Sequence, residues 1–146
     1  MSVFRPKIES STLLMLEKVP LFASFTEKQL RSLAQDAKER SFAAGATVVS
    51  QGENGIGFYL MLEGRVEVRR GGKRLATHGP GAFFGEMALF NNEPRSADVV
   101  ALEPTRCLVL SKWEFWSFAM DQPKLLRRML EEMARRLTTS NRALSE

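Results

Sequence analysis

The 146 residues suffice for one domain with a real hydrophobic core, and the shares of apolar residues (44%) and charged residues (26%) are ordinary for a globular chain. Twenty-one basic against 17 acidic residues leave a net charge of +4, which suits an anionic ligand or nucleic acid but argues only weakly for either. No apolar run approaches the ~18 residues of a membrane span, the N-terminal Met-Ser-Val-Phe-Arg-Pro-Lys lacks a signal-peptide core, and the single Cys107 allows no internal disulfide, so a cytoplasmic location is expected.

The N-terminal flank carries two helix candidates. Residues 10–18 open on capping residues and end before Pro20. Thr26 with Gln29 makes a capping-box start, after which Leu30, Leu33, Ala34 and Ala37 fall on one helical face. Val19-Pro20-Leu21-Phe22 and Phe25 read as a packed connection, and the whole as a helical cap on one end of a β unit.

All ten glycines lie between Gly45 and Gly85, so chain reversals are concentrated in the middle. From residue 39 the periodicity is that of short strands: Thr47–Ser50, the continuous apolar run Phe58–Leu62, and the alternating Arg65–Arg69 with Val66 and Val68 inward. Gly71-Gly72 signals a hairpin, with Lys73–Thr77 as the return strand. Ala97–Ala101 and Thr105–Leu110 follow, joined at Glu103-Pro104. Strands this short and regularly spaced predict an antiparallel barrel or jelly roll.

Two reactive residue types are single. His78 is the only histidine, which excludes imidazole-cluster metal sites; in the run Thr77-His78-Gly79-Pro80-Gly81 it reads as a surface turn residue. Cys107, amid Leu108, Val109 and Leu110, reads as a small core residue. No nucleophile with a base and no metal set is apparent, so an enzyme is not expected.

Residues 84–101 hold the most informative stretch. Gly85 and Glu86 precede Met87-Ala88-Leu89, one potential helical turn, and Asn91-Asn92-Glu93-Pro94 breaks it before Arg95. A glycine followed by a helical turn directs free N–H groups at one point, and a guanidinium grips phosphate oxygens in a fork. Glu86 would repel a phosphate but accept from a hydroxyl, so the stretch reads as a site for a phosphate joined to a sugar. Direct pairing of Glu86 with Arg95 is the alternative.

The C-terminal flank is helical again. Ser111 with Glu114 forms a second capping box, and Pro123 opens a final helix. Leu126, Leu130, Met133, Leu137, Ser140 and Leu144 are spaced 4, 3, 4, 3, 4, a heptad seam that predicts a homodimer through residues 124–144; Leu125 and Met129 widen the stripe toward the body. The arginine pairs 127–128 and 135–136 read as solvated flanks of that seam, with Arg136 within reach of the ligand.

Two runs resemble the cyclic-nucleotide-binding domains. Val48-Val49-Ser50-Gln51-Gly52-Glu53 through Phe58-Tyr59-Leu60-Met61 to Gly64 is similar to the family's first signature. Phe84-Gly85-Glu86-Met87-Ala88-Leu89, then Arg95-Ser96-Ala97 and Val99, is similar to its second, the phosphate-binding cassette, and the resemblance extends over essentially the whole chain.

The resemblance implies an α+β fold: an antiparallel jelly roll of about eight short strands flanked by N-terminal helices and two C-terminal helices. One domain then fills residues 1–146, with a helical cap at 8–38, a jelly roll at 39–111 carrying the cassette at 84–97, and C-terminal helices at 112–144. It implies that Glu86 accepts the ribose 2′-hydroxyl and that Arg95 pairs with the cyclic phosphate. Backbone around Gly85, Met87, Ala88, Ser96 and Ala97 completes the cradle. Leu89 relays binding to the C-terminal helices, and Glu53 orients the arginine.

Met133-Ala134-Arg135-Arg136-Leu137 further resembles catabolite-activator-type regulators, which places Ser140 and Asn141 at the adenine base. The chain stops at Glu146 without a helix-turn-helix, so specific DNA binding is not expected. The implied protein is a non-enzymatic sensor of cAMP, with cGMP the alternative ligand, no cofactor, and a dimer mate or partner reading the signal. The sensor half of a transcription regulator and the regulatory domain of a channel or kinase are the alternative settings.

Overall fold

The computed structural model describes residues 10–54, 57–90 and 94–145, with side chains from residue 12 to residue 139. Helices α1 (Ser10–Glu17) and α2 (Glu27–Asp36) are joined through a 3-10 turn, Pro20–Phe22. Eight strands follow among the described residues: β1 (Lys38–Phe42), β2 (Thr47–Val49), β3 (Phe58–Glu63), β4 (Val66–Arg70), β5 (Lys73–His78), β6 (Phe83–Phe84), β7 (Asp98–Ala101) and β8 (Thr105–Leu110). A second 3-10 turn, Glu86–Leu89, separates β6 from β7, and helices α3 (Lys112–Ala119) and α4 (Pro123–Ser145) close the chain. Both capping boxes form: Thr26 with Gln29 starts α2 and Ser111 with Glu114 starts α3.

The strands make two four-stranded antiparallel sheets, ordered β1-β8-β3-β6 and β2-β7-β4-β5, so the fold is the expected antiparallel jelly roll. The first sheet is covered on both faces. Phe58, Leu60 and Leu62 point to a core shared with Leu16, Phe22 and Leu33 of the N-terminal elements and with Phe115, Leu125 and Met129 of α3 and α4. Tyr59 and Met61, alternating with them, point between the sheets toward Val49, Val66, Phe84, Val99 and Cys107. A strand buried on both faces must be apolar at every position, which is why 58–62 is an unbroken apolar run. The β4–β5 hairpin turns at Gly71 and Gly72, both with positive φ.

Burial bears out one expectation, that Leu125 and Met129 face the body, and corrects another, the placement of His78. In α4 the fully buried residues are Leu125 (2% exposed) and Met129 (1%), while Leu130 and Leu137 are each 63% exposed and Leu126 and Met133 are partly covered by the body. The stripe facing the body therefore runs one residue earlier than the heptad seam, and only part of that seam remains outward. His78 is the last residue of β5, paired with Val66, and not a surface turn residue; it is half-buried. Cys107 is fully buried, and that burial pushes its thiol up to about 12. No helix among the described residues is long and apolar enough to cross a membrane.

Candidate functional site

The chain leaves the first sheet at Phe84 and joins the second at Asp98, and the segment between lines a cavity of about 420 Å³. Gly85, Glu86, Met87, Ala88, Arg95, Ser96 and Ala97 all border it, so the structure brings together the seven expected cassette residues. Gly85 turns the chain with φ of 78°, in the left-handed region. A Cβ built there would lie 2.7 Å from Arg95 Nη1 and 2.9 Å from the Gly57 carbonyl oxygen. Both effects oppose any side chain, so Gly85→Ala is expected to displace the Arg95 guanidinium. The check is a ligand titration of the variant, which should match an Arg95 deletion more closely than the parent.

Arg95 lies across the floor. Its Nη1 donates to the Gly85 carbonyl at 3.2 Å, its Nη2 donates to the Gly57 carbonyl at 2.5 Å, and the guanidinium carbon stands 5.9 Å from the Tyr59 ring centre. Among the described residues it makes no ion pair with a carboxylate. Burial pulls its pKa below the ordinary arginine value, and Tyr59 and Glu86 oppose that shift. The direct Glu86–Arg95 pair left open by the sequence is thus not formed.

Glu53 meets Arg95 through main chain and not through its carboxylate. Its side chain is exposed, and the link to Arg95 is main chain to main chain: Arg95 N–H donates to the Glu53 carbonyl at 2.8 Å, and Gly52 N–H donates to the Arg95 carbonyl at 2.8 Å. These two bonds fix the backbone from which the guanidinium projects.

Glu86 pairs instead with Arg136 of α4, at 3.4 Å between Oε1 and Nη1. Arg136 is not a solvated flank, being 23% exposed in its side chain. Its Nη2 donates to the Phe83 carbonyl at 2.7 Å, its Nε donates to Glu132 at 3.1 Å, and its guanidinium lies 4.4 Å from the Phe83 ring centre. Arg135, the other member of the pair, is the exposed one. Ser140 and Asn141 belong to the helical backbone of α4, and their side chains lie outside the described residues.

At the far end of the 3-10 turn, Leu89 is 1% exposed and its carbonyl accepts from Trp116 Nε1 of α3 at 2.8 Å. Phe90 meets the Trp116 ring edge-on at 5.6 Å. The cassette is therefore tied to α3 through Leu89 and to α4 through Glu86.

Sequence reasoning missed His78 as a site residue. It lines this cavity and a second one of about 590 Å³, which lies between Pro20, Pro80 and α4; with Arg136 it stands between the two. Burial, and then the positive charge of Arg136, lower its pKa to about 4. Protonation is thus harder in the folded chain than in the unfolded one, so this group's contribution to stability is present above pH 6.5 and falls away as the pH drops toward 4. Thermal midpoints measured across that window should decline more steeply for the parent than for His78→Leu.

The model of the family described as "Cyclic nucleotide-binding domain" matches residues 39–122, more than half of the chain. The chain belongs to that family. It is 34% identical over 111 residues to the cAMP-dependent protein kinase regulatory subunit of Yarrowia lipolytica, covering 76% of this chain and 30% of that one. It is 35% identical over 130 residues to the Pycsar effector protein XpPycTIR of Xanthomonas perforans, covering 83% of this chain and 43% of the relative. The chain thus spans less than half the length of either curated relative. Among solved structures, the catabolite activator protein of Thermus thermophilus aligns with a TM-score of 0.76 and 30% identity, over 86% of this cyclic nucleotide-binding chain and 62% of the activator.

Proposed function

We propose that this cyclic nucleotide-binding chain is a cAMP sensor that signals by moving its C-terminal helices. The observation that carries the reading is Arg95: a half-buried guanidinium on the floor of a cavity, held by two carbonyls and, among the described residues, in no ion pair with a carboxylate. A cation withdrawn from water without a counter-charge is costly, and an anion entering the cavity relieves that cost. Glu86, on the same wall, repels a bare phosphate and fits one attached to a hydroxylated sugar. The roles follow: Arg95 for the cyclic phosphate, Glu86 for the ribose 2′-hydroxyl, and main chain around Gly85, Met87, Ser96 and Ala97 for the remaining phosphate oxygens. Ala88 N–H is already given to the Gly85 carbonyl at 3.3 Å, which reduces the share expected of it.

Adenine is favoured over guanine because Ser96 follows the arginine as it does in catabolite-activator-type regulators, and the kinase relative is named for cAMP. Binding is read out without turnover. Closure of the cassette would displace Leu89 against Trp116 and Glu86 against Arg136, and so bias the packing of α3 and α4, a population shift driven by differential affinity. Leu130 and Leu137, seven residues apart and both exposed, are the part of the heptad seam left for a dimer mate. The unit is taken as the whole of residues 1–146, working in the cytoplasm as part of a regulator or kinase-type assembly.

Calorimetric titration with cAMP and cGMP tests the reading. Heat with micromolar affinity or better for cAMP is expected, and no heat with either nucleotide would overturn it. Sedimentation with and without cAMP tests the dimer, which Leu137→Lys should dissociate.

A further inference from the structure

The nucleotide cavity has a direction. On one side is Arg95, held by the Gly85 and Gly57 carbonyls and 5.9 Å from the Tyr59 ring centre. Glu86 links the two sides: it follows Gly85, whose carbonyl holds Arg95, and it pairs with Arg136 at 3.4 Å. His78 borders this cavity and the neighbouring one together with Arg136, whereas Arg95 borders this cavity alone, so His78 lies on the side toward α4. A nucleoside cyclic phosphate has the same order in its covalent structure. With its phosphate at Arg95 and its ribose hydroxyl at Glu86, its base must extend toward the end where His78 and Arg136 stand.

Those two residues differ in what they have left to give. The Arg136 guanidinium gives three of its five N–H groups to Glu86, Glu132 and the Phe83 carbonyl, and it has no acceptor to offer. The His78 imidazole makes no side-chain hydrogen bond to the described residues, although it is half-buried and borders the cavity. An unprotonated imidazole offers one donor and one acceptor. Val68 and Val99, which also line the cavity, offer a base only apolar contact.

We infer that His78 is the base-selecting residue of this chain, hydrogen-bonding the polar edge of the base once the cassette holds the sugar phosphate. This rests on the cyclic-nucleotide reading above and adds to it the group that distinguishes one base from another. A site with a polar group placed for a ligand partner discriminates strongly, because the wrong ligand leaves that group unpaired.

The test is a calorimetric comparison of the parent, His78→Leu and His78→Gln against cAMP, cGMP, cCMP and cUMP. A baseless probe, methyl riboside 3′,5′-cyclic phosphate, is titrated alongside. The parent is expected to rank the four nucleotides, and His78→Leu to lose about tenfold or more for the preferred one while holding the baseless probe within about twofold. His78→Gln, which keeps a donor and an acceptor, should retain part of the ranking and serves as the test if the leucine variant does not fold. Unchanged ratios among the four nucleotides in either folded variant, or an equal loss for the baseless probe, would overturn the assignment. If the parent binds and Arg95→Ala does not, while the ratios stay fixed, this inference alone falls. If the parent binds none of the five ligands, the nucleotide reading falls and takes the inference with it.

Discussion

Arg95→Ala lowers the affinity for cAMP by one to two orders of magnitude and leaves the ligand-free fold close to the parent in stability. A hydrogen bond to a charged partner contributes roughly 1.5–3 kcal/mol, which corresponds to about a 10- to 150-fold change in affinity. The small effect on the empty protein follows from the surroundings. The guanidinium gives hydrogen bonds to the Gly85 and Gly57 carbonyls, but it holds a charge partly out of water with no ion pair among the described residues, and the two contributions oppose each other. A ligand titration together with a thermal melt separates them. Arg95→Lys restores charge without the planar fork, so it should recover only part of the affinity. An alanine variant that binds as the parent does would remove Arg95 from the site. A variant that loses binding only because it melts far earlier would make the residue a structural one.

How much of this was legible in the residues depends on whether a local signal decided the matter. Capping boxes are local, and Thr26/Gln29 and Ser111/Glu114 start their helices where the residue types say. The strand Phe58–Glu63 was legible because burial on two faces writes itself as a continuous apolar run. Strand β6 was not, since Phe83 and Phe84 are too few to show a period; only their pairing with Leu60 and Tyr59 makes them a strand. The cassette residues lie close in sequence, and the turn at Gly85 with the return at Arg95 gathers them into one wall.

The phase of α4 is only partly legible, and a residue that faces two ways is not. In α4 the heptad spacing of Leu126, Leu130, Met133 and Leu137 hides the real contact stripe, Leu125, Met129, Glu132 and Arg136, which repeats at 4, 3 and 4 one residue earlier. One residue turns a helix by about 100°, which separates Arg136, expected within reach of the ligand and found against Glu86, from the exposed Arg135. The signal was present: Arg136 follows the buried Met129 by seven residues and Leu125 by eleven. The glycines and proline after His78 signal a turn, yet its place is fixed by pairing with Val66, which the local sequence does not reveal.

Glu86→Ala makes the ribose and 2′-deoxyribose cyclic nucleotides equivalent. The carboxylate has two oxygens, and Arg136 takes Oε1 at 3.4 Å, which leaves Oε2 for the ligand hydroxyl. Binding the sugar therefore does not require breaking the tie to α4, and both contacts can coexist in the closed state. Removal of the side chain should cost the ribose ligand roughly tenfold and the deoxy analogue almost nothing, because the analogue never had that bond. The same variant also cuts the cassette from α4. Arg136 retains Glu132 and the Phe83 carbonyl, and Leu125 and Met129 remain buried, so the helix stays docked but loses its direct reading of the sugar site. Glu86→Gln divides the two roles, since an amide oxygen still accepts from the hydroxyl while the charge that holds Arg136 is gone. Its discrimination against the deoxy analogue should persist, whereas ligand-dependent hydrogen-exchange protection of α4 should weaken. A glutamine variant with parental protection of α4 would show that the helix is informed through Leu89 and Trp116 alone. An alanine variant that still prefers the ribose ligand would place the hydroxyl on another group.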